Sequence, residues 1–170
     1  MQIGDKMEVF DAIKTRRSVR KYLDKKIDES DMLKLLEAAR LSPSARNIQN
    51  RRFVIIENID GDIVKACNDQ EWISTCPMLI AGVIDPGVNN WAETDMAIAF
   101  EHIVLEAVEL GLGTCWIGAF DGDKVRSILG VPSDLQVYAL LSIGYPSSNP
   151  SQMISKKPLE EIWSREKYDF

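Results

Sequence analysis

The sequence predicts an α+β or α/β sandwich, about four strands flanked by helices, in one domain over residues 1–170. Three observations carry this. Segments with helical apolar spacing alternate with short β-branched runs along the chain. Residues 78–85 (MLIAGVID) form a nearly continuous apolar run, the pattern of a strand covered on both faces. Residues 91–110 carry apolar side chains around most of a helical circumference, the pattern of a buried helix.

In chain order, Met7, Phe10 and Ile13 have helical spacing and place a first helix over 7–15. Asp28 is a candidate cap for a second helix, with Asp31 in its first turn and Met32, Leu35, Leu36 and Ala39 as its apolar face. Ser42-Pro43-Ser44 ends it, because a residue before proline is pushed out of the α region. Residues 51–57 (RRFVIIE) read as a strand and 60–68 as a short helix. The 78–85 strand ends at the Asp85-Pro86-Gly87 turn. The long helix over 91–110 stops at Gly111 and Gly113. A short strand over 114–118, a helix over 121–129, a full strand over 136–143 and a terminal helix over 159–163 behind Pro158 complete the prediction.

Composition narrows the function. The chain has 170 residues, 45% apolar and 27% charged, with a net charge of −6, which argues against disorder and against general polyanion binding. The uncharged apolar stretch at 72–84 is 13 residues with Pro77 inside it, too short to span a bilayer. Residues 1–8 are polar and lack the apolar core of a secretory signal. Three widely spaced cysteines, Cys67, Cys76 and Cys115, form no disulfide framework, so the expected setting is a reducing cytoplasm. His102, the single histidine, lies in the long apolar helix and reads as structural, which leaves metal sites and His-dependent nucleophiles poorly supported. The charge is uneven: residues 1–56 carry a net of +5, and seven of the nine arginines lie from Arg16 to Arg52.

Three constellations could carry chemistry. In 15–22 (TRRSVRKY) four cations and a hydroxyl follow the first helix. If the segment is extended, Ser18 and Arg20 share a face with Arg16 close behind, which suits a phosphate. A solvated basic turn fits the same residues. In 42–53 (SPSARNIQNRRF) hydroxyls and amides lead into a strand. They offer donors and acceptors to a heteroaromatic edge, or simply close an Asx/Ser turn. In 111–120 (GLGTCWIGAF) the glycines follow a helix and precede a strand, the reverse of a dinucleotide fingerprint, so a Rossmann reading is rejected. Gly118 and Ala119 leave room for a planar ligand against the backbone, while Cys115 reads as an inert strand cysteine.

Taken together, RRSVRKY at 16–22, SPSARNIQN at 42–50, GLGTCWIGAF at 111–120, and GYP at 144–146 followed by KKPLEEI at 156–162 resemble the short form of the FMN-dependent nitroreductase family, in order and over roughly residues 7–165. The resemblance implies an α+β sandwich around a mainly antiparallel sheet, and a homodimer with FMN at the subunit interface. By position it implies that Arg16, Ser18 and Arg20 hold the phosphate and ribityl chain and that Arg17 lies beside the pyrimidine. Pro43, Ser44, Asn47 and Gln49 would belong to a loop supplied by the partner subunit. Trp116, Ile117, Gly118 and Ala119 would run along the isoalloxazine, with a backbone N–H facing N5, and Lys156 would be a further phosphate cation. No catalytic side chain is implied, because the flavin carries the chemistry. NADH or NADPH would donate a hydride in ping-pong fashion, with a small-molecule acceptor (nitroaromatic, quinone or free flavin) and no nucleic-acid or membrane partner. The alternatives are a non-enzymatic flavin-binding or sensing module, and a same-fold flavoenzyme that removes halogen or cleaves flavin. The chain departs from the family pattern at Asn50-Arg51, where Pro-Trp is usual, at Lys156, where Arg is usual, and in a short substrate-covering segment over 68–76.

Overall fold

The computed structural model describes residues 7–148 and 155–168. The apolar run at 78–84 has no polar side chain to present to solvent, and it becomes an inner strand. β2 (Met78–Ile84) lies between β1 (Arg52–Ile56) and β4 (Gln136–Gly144), and β3 (Gly113–Ile117) forms the far edge beyond β4, giving the order β1-β2-β4-β3. Every pairing is antiparallel, and every residue of β2 is buried. The period-2 alternation of a strand sorts the side chains into two layers. Phe53, Ile55, Met78, Ile80, Leu141 and Ile143 face one way, and Val54, Ile56, Leu79, Ala81, Ile117 and Leu140 face the other. Pairing jumps from Gly82↔Ala139 to Val83↔Val137, so Tyr138 is the extra residue of a β-bulge.

α2 (Glu29–Leu41) and α4 (Ala92–Glu109) cover the first layer. α4 crosses β2 at Gly82, where an added Cβ would meet Met96 Sδ at 2.7 Å and Phe100 Cζ at 2.9 Å. Its C-terminus closes in a Schellman motif. Gly111 takes φ +69°, and the Gly111 and Leu112 N–H groups donate to the carbonyls of Val108 and Ala107. α3 (Gly61–Ala66), a 3-10 turn over Glu71–Thr75, and α5 (Gly122–Ile128) cover the second layer. Asp60 and Asp121 cap α3 and α5 through their side chains.

Three local expectations change. Asp28 stands at the N-cap of α2, but its side chain makes no capping hydrogen bond. α1 (Val9–Thr15) buries Ala12, while the predicted stripe turns outward, with Phe10 67% exposed and Ile13 also exposed. A seven-residue helix satisfies apolar spacing on either side, and here only Ala12 is small enough for close approach to α4. The terminal helix shrinks to one 3-10 turn, Leu159–Glu161, whose residues are exposed, so no tertiary packing among the described residues extends it.

Candidate functional site

The basic segment after α1 is extended and fastened to the sheet edge. The Val19 N–H donates to the Thr114 carbonyl at 2.9 Å, and Ser18 pairs with Thr114 as an isolated parallel bridge. Val19 and Tyr22 are the anchors. Both are buried, and the Tyr22 hydroxyl lies 2.6 Å from the Val19 carbonyl and 2.7 Å from Ser142 Oγ, which itself reaches the Cys115 carbonyl at 3.2 Å. Burial, first of all, raises the Tyr22 pKa and keeps the phenol neutral. The anchors fit because the register partners Gly113 and Gly144 are glycines. A Cβ at 113 would lie 2.5 Å from Val19 Cγ2, and one at 144 would lie 2.6 Å from Pro77 Cδ and 2.7 Å from Tyr22 Cδ1.

On either side of the buried Val19, Ser18 and Arg20 are exposed, the shared face expected of an extended segment, but the alternation ends before Tyr22, which is buried three positions on. Burial raises the pKa of the nearby Cys115 thiol, and Arg20 and Ser18 pull it back. The Arg20 guanidinium lies 5.9 Å from the Trp72 ring centroid. Arg16 pairs with Glu101 of α4 at 3.2 Å, a half-exposed ion pair worth at most about 1 kcal/mol and easily exchanged for another anion. Arg17 folds back, its Nη1 donating to the Lys14 and Arg16 carbonyls at 2.8 and 2.7 Å. A cleft of about 180 Å³ opens between Arg16, Arg17, Gly111, Gly113 and Pro146.

Along β3 the side chains divide. Trp116 is 38% exposed and meets Phe100 edge-on at 5.1 Å, whereas Ile117 is buried in the opposite layer and can offer a ligand only its backbone. Gly118 and Ala119 are exposed, and a Cβ added at Gly118 would meet nothing within 4 Å. The 68–76 segment comes to this place: Gln70 Nε2 donates to the Ala119 carbonyl at 2.9 Å, beside the Trp72–Arg20 contact.

The 43–49 loop is placed elsewhere. It closes on itself and on α4, with the Gln49 N–H donating to Ser44 Oγ at 3.0 Å and the Ala45 N–H to Asp95 Oδ1 at 3.0 Å. Arg46, Asn47 and Gln49 have positive φ, at about 1–2 kcal/mol each for non-glycine residues. Among the described residues no hydrogen bond or ion pair joins Pro43, Ser44, Asn47 or Gln49 to residues 16–20 of the same chain, and Lys156 is exposed without such a contact either.

Sequence reasoning overlooked Asp95 and gave Arg51 no geometry. Asp95 is 2% exposed on a helix lined with Met96, Ala99 and Phe100, and its Oδ2 has no hydrogen-bond partner. A carboxylate at helical spacing with the small apolar residues Ala92 and Ala99 was the available signal. Arg51 Nη1 lies 2.7 Å from Ser42 Oγ and 2.9 Å from the Pro43 carbonyl, and its Nη2 lies 3.0 Å from the Ser42 carbonyl. His102 is half-buried near the Ala38 carbonyl, in line with a structural role. The cysteines are buried and free. Burial pushes Cys67 up to about 11 and Cys76 up to about 12, so their thiols stay protonated and poorly nucleophilic. Among the described residues no group of three acidic, His or Cys side chains could hold a metal ion, and no helix is long and apolar enough to cross a membrane.

The sequence model of the nitroreductase family matches residues 13–75 and 63–145. A protein of Archaeoglobus fulgidus, provisionally named NADH dehydrogenase/NAD(P)H nitroreductase, is 32% identical over 152 residues, 82% of this chain and 86% of the relative. An iodotyrosine deiodinase of Thermotoga neapolitana is 24% identical over 165 residues, 81% of this chain and 88% of that protein. The solved structure of an FMN-dependent nitroreductase from Clostridium difficile superposes with a TM-score of 0.83 at 26% identity, covering 92% of this chain and 98% of that one. The matched segments are those that fasten the basic strand to β3, and with them the chain belongs to the nitroreductase family.

Proposed function

We propose that the chain is an FMN-dependent NAD(P)H oxidoreductase that works as a homodimer. The observation that carries this reading is the outward pair Ser18 and Arg20, held beside an open backbone at Gly118 and Ala119. The residues present fit the two ends of a flavin mononucleotide. For the phosphate there are Arg16, whose ion pair with Glu101 is exchangeable, and the Ser18 hydroxyl and Arg20 guanidinium; charge-assisted bonds to such a dianion contribute about 1.5–3 kcal/mol each. For the flat ring there are the free face at Gly118 and the exposed side of Trp116.

When bound, FMN would supply hydride chemistry at N5, accepting from NADH or NADPH and passing electrons to a nitroaromatic, a quinone or a related acceptor. The chain's own part is to bind and orient. Arg16 and Arg20 neutralise the phosphate, and their positive field also favours a negatively charged reduced ring. Gln70 holds the Ala119 carbonyl, fixing the backbone that follows β3, and Trp72 borders the place where an acceptor would stack. No side chain acts as acid or base.

Dimerisation would complete the site. The exposed apolar residues Val9, Phe10 and Ile13 of α1 leave a face without cover in one chain, and the 43–49 loop has no contact with the phosphate residues of its own chain. A second chain accounts for both, with Pro43, Ser44, Asn47 and Gln49 reaching the partner's flavin, and Lys156 joining the phosphate cations. The test is the purified protein itself. We expect a yellow protein with oxidised-flavin absorbance that oxidises NADH or NADPH in the presence of a nitroaromatic or quinone. A colourless protein that takes up no FMN overturns the reading. Flavin uptake without NAD(P)H oxidation would identify a binding module, and turnover confined to halogenated aromatics would identify a dehalogenating enzyme.

A further inference from the structure

We infer that Arg51 and Asp95 form a clamp that sets the conformation of the 42–49 loop, and that both are positioning residues for the flavin site. This rests on the reading above, in which that loop carries Ser44 and Asn47 to the partner's flavin.

The loop closes on itself through an unusual backbone. Three of its residues take positive φ without being glycine, and such a backbone persists only when its surroundings over-determine it. The surroundings come from two sides. Arg51, just ahead of β1, presents its guanidinium to the C-terminus of α2 and the start of the loop, with Ser42 Oγ, the Ser42 carbonyl and the Pro43 carbonyl all within 3.0 Å. A cation on the last carbonyls of a helix is also favourably placed in the helix field. Asp95, in the first turn of α4, accepts the Ala45 N–H through Oδ1. Arg51 Nη1 is also 3.4 Å from the Asp95 backbone carbonyl, so the two halves of the clamp touch. Burial lowers the Arg51 pKa and the Asp95 charge opposes that, as expected for a cation and an anion sharing one partly desolvated place.

Packing does not require Asp95. Met96, Ala99 and Phe100 fill this part of the core, and the buried carboxylate leaves Oδ2 without a partner. An apolar residue would avoid that unsatisfied oxygen but would leave the Ala45 N–H without its acceptor. What Asp95 contributes is therefore a single loop geometry. Asn50 reinforces it from the next position: its amide donates to the Asp85 carbonyl at 2.7 Å and accepts from the Asp85 N–H at 3.3 Å, locking the entry of β1. The pair Asn50-Arg51 thus has a joint use, fixing the root of the loop that precedes it.

The test uses the full chain and three variants: Arg51→Lys, which keeps the charge and loses the fork; Asp95→Leu, which takes the acceptor from the Ala45 N–H; and Ile63→Val, a core control in the opposite layer. Three quantities are measured: FMN affinity by flavin fluorescence, the thermal midpoint without flavin, and the rate of tryptic cleavage after the exposed Arg46, read by fragment mass. We expect both clamp variants to bind FMN about tenfold more weakly, the equivalent of about one hydrogen bond, and to be cut faster after Arg46. The control should lose a comparable amount of thermal midpoint with neither effect. If wild type binds FMN and the clamp variants bind it equally well, the inference is overturned while the proposed function stands. If wild type takes up no FMN, the proposed function falls and this inference with it. If the control weakens FMN as much as the clamp variants do, the effect is general destabilisation and the inference is overturned.

Discussion

Arg16 and Arg20 owe their usefulness to what surrounds them rather than to their charge alone. Arg126, equally cationic, is held by Asp123 at 3.0 Å on α5. Arg16→Ala or Arg20→Ala should weaken FMN retention by about tenfold or more, the equivalent of one charge-assisted bond, while Arg126→Ala should leave it unchanged. Flavin release on dilution measures the difference, and equal effects would remove the phosphate role. The thiols give a second prediction at this scale. Cys67 and Cys76 are raised by burial from an ordinary value of 9.0 to about 11 and about 12. Below pH 9 both folded and unfolded chains keep these protons. Above it the unfolded chain loses them first, so stability should fall between about pH 9 and pH 12, by a few kcal/mol at roughly 1.4 kcal/mol per unit. Urea midpoints across that range would show the fall, and Cys67→Ala and Cys76→Ala should each flatten it. Native protein at pH 8 should show no thiol reactive toward a disulfide reagent.

At the scale of elements, the site is a docking of one extended segment on one sheet edge. Gly113 and Gly118 bracket β3 and test opposite things. Gly113→Ala pushes a methyl to 2.5 Å from Val19 Cγ2, so the basic segment must move. We expect it to cost about 1–3 kcal/mol in unfolding free energy, as overpacking does, together with flavin binding. Gly118→Ala meets nothing within 4 Å in the flavin-free chain. Its thermal midpoint without FMN should match wild type, while FMN affinity drops if the ring lies against that backbone. An unchanged affinity would place the ring elsewhere. The 3-10 turn at Glu71–Thr75 adds the third side of the site through Gln70 and Trp72, and its position follows from Ile73 and Cys76 being buried in the second layer.

For the whole molecule, the uneven charge acquires a meaning. Of the arginines behind the net of +5 over residues 1–56, Arg16 and Arg20 stand at the proposed phosphate, Arg51 at the root of the loop, and Arg40 is paired with Glu37 at 2.6 Å on the surface. Arg52 has no role that the structure explains. The exposed face of α1 is one feature that a single chain leaves uncovered. If it is covered by a second chain, Phe10→Asp should turn a dimer into a monomer in sedimentation and release FMN with it. A variant that stays dimeric and yellow would move the interface away from α1.

The sequence by itself determined the element order, the covered inner strand and the family. Residues 78–84 have no polar face to offer, and Asp60, Asp121, Gly111 and Pro43 mark ends by local chemistry that needs no distant partner. It also reached Ser18 and Arg20, because period-2 alternation around Val19 is a local rule. Three outcomes were decided only by the tertiary structure. The direction of the α1 stripe depended on which side chain could approach α4. The fate of 159–163 depended on whether anything buried it. Asp95 and Arg51 became partners because α4 carries one of them to the loop that the other closes, 44 positions apart in sequence. A contact of that kind leaves no periodicity in the chain, since its two ends are brought together only when the helices pack on the sheet.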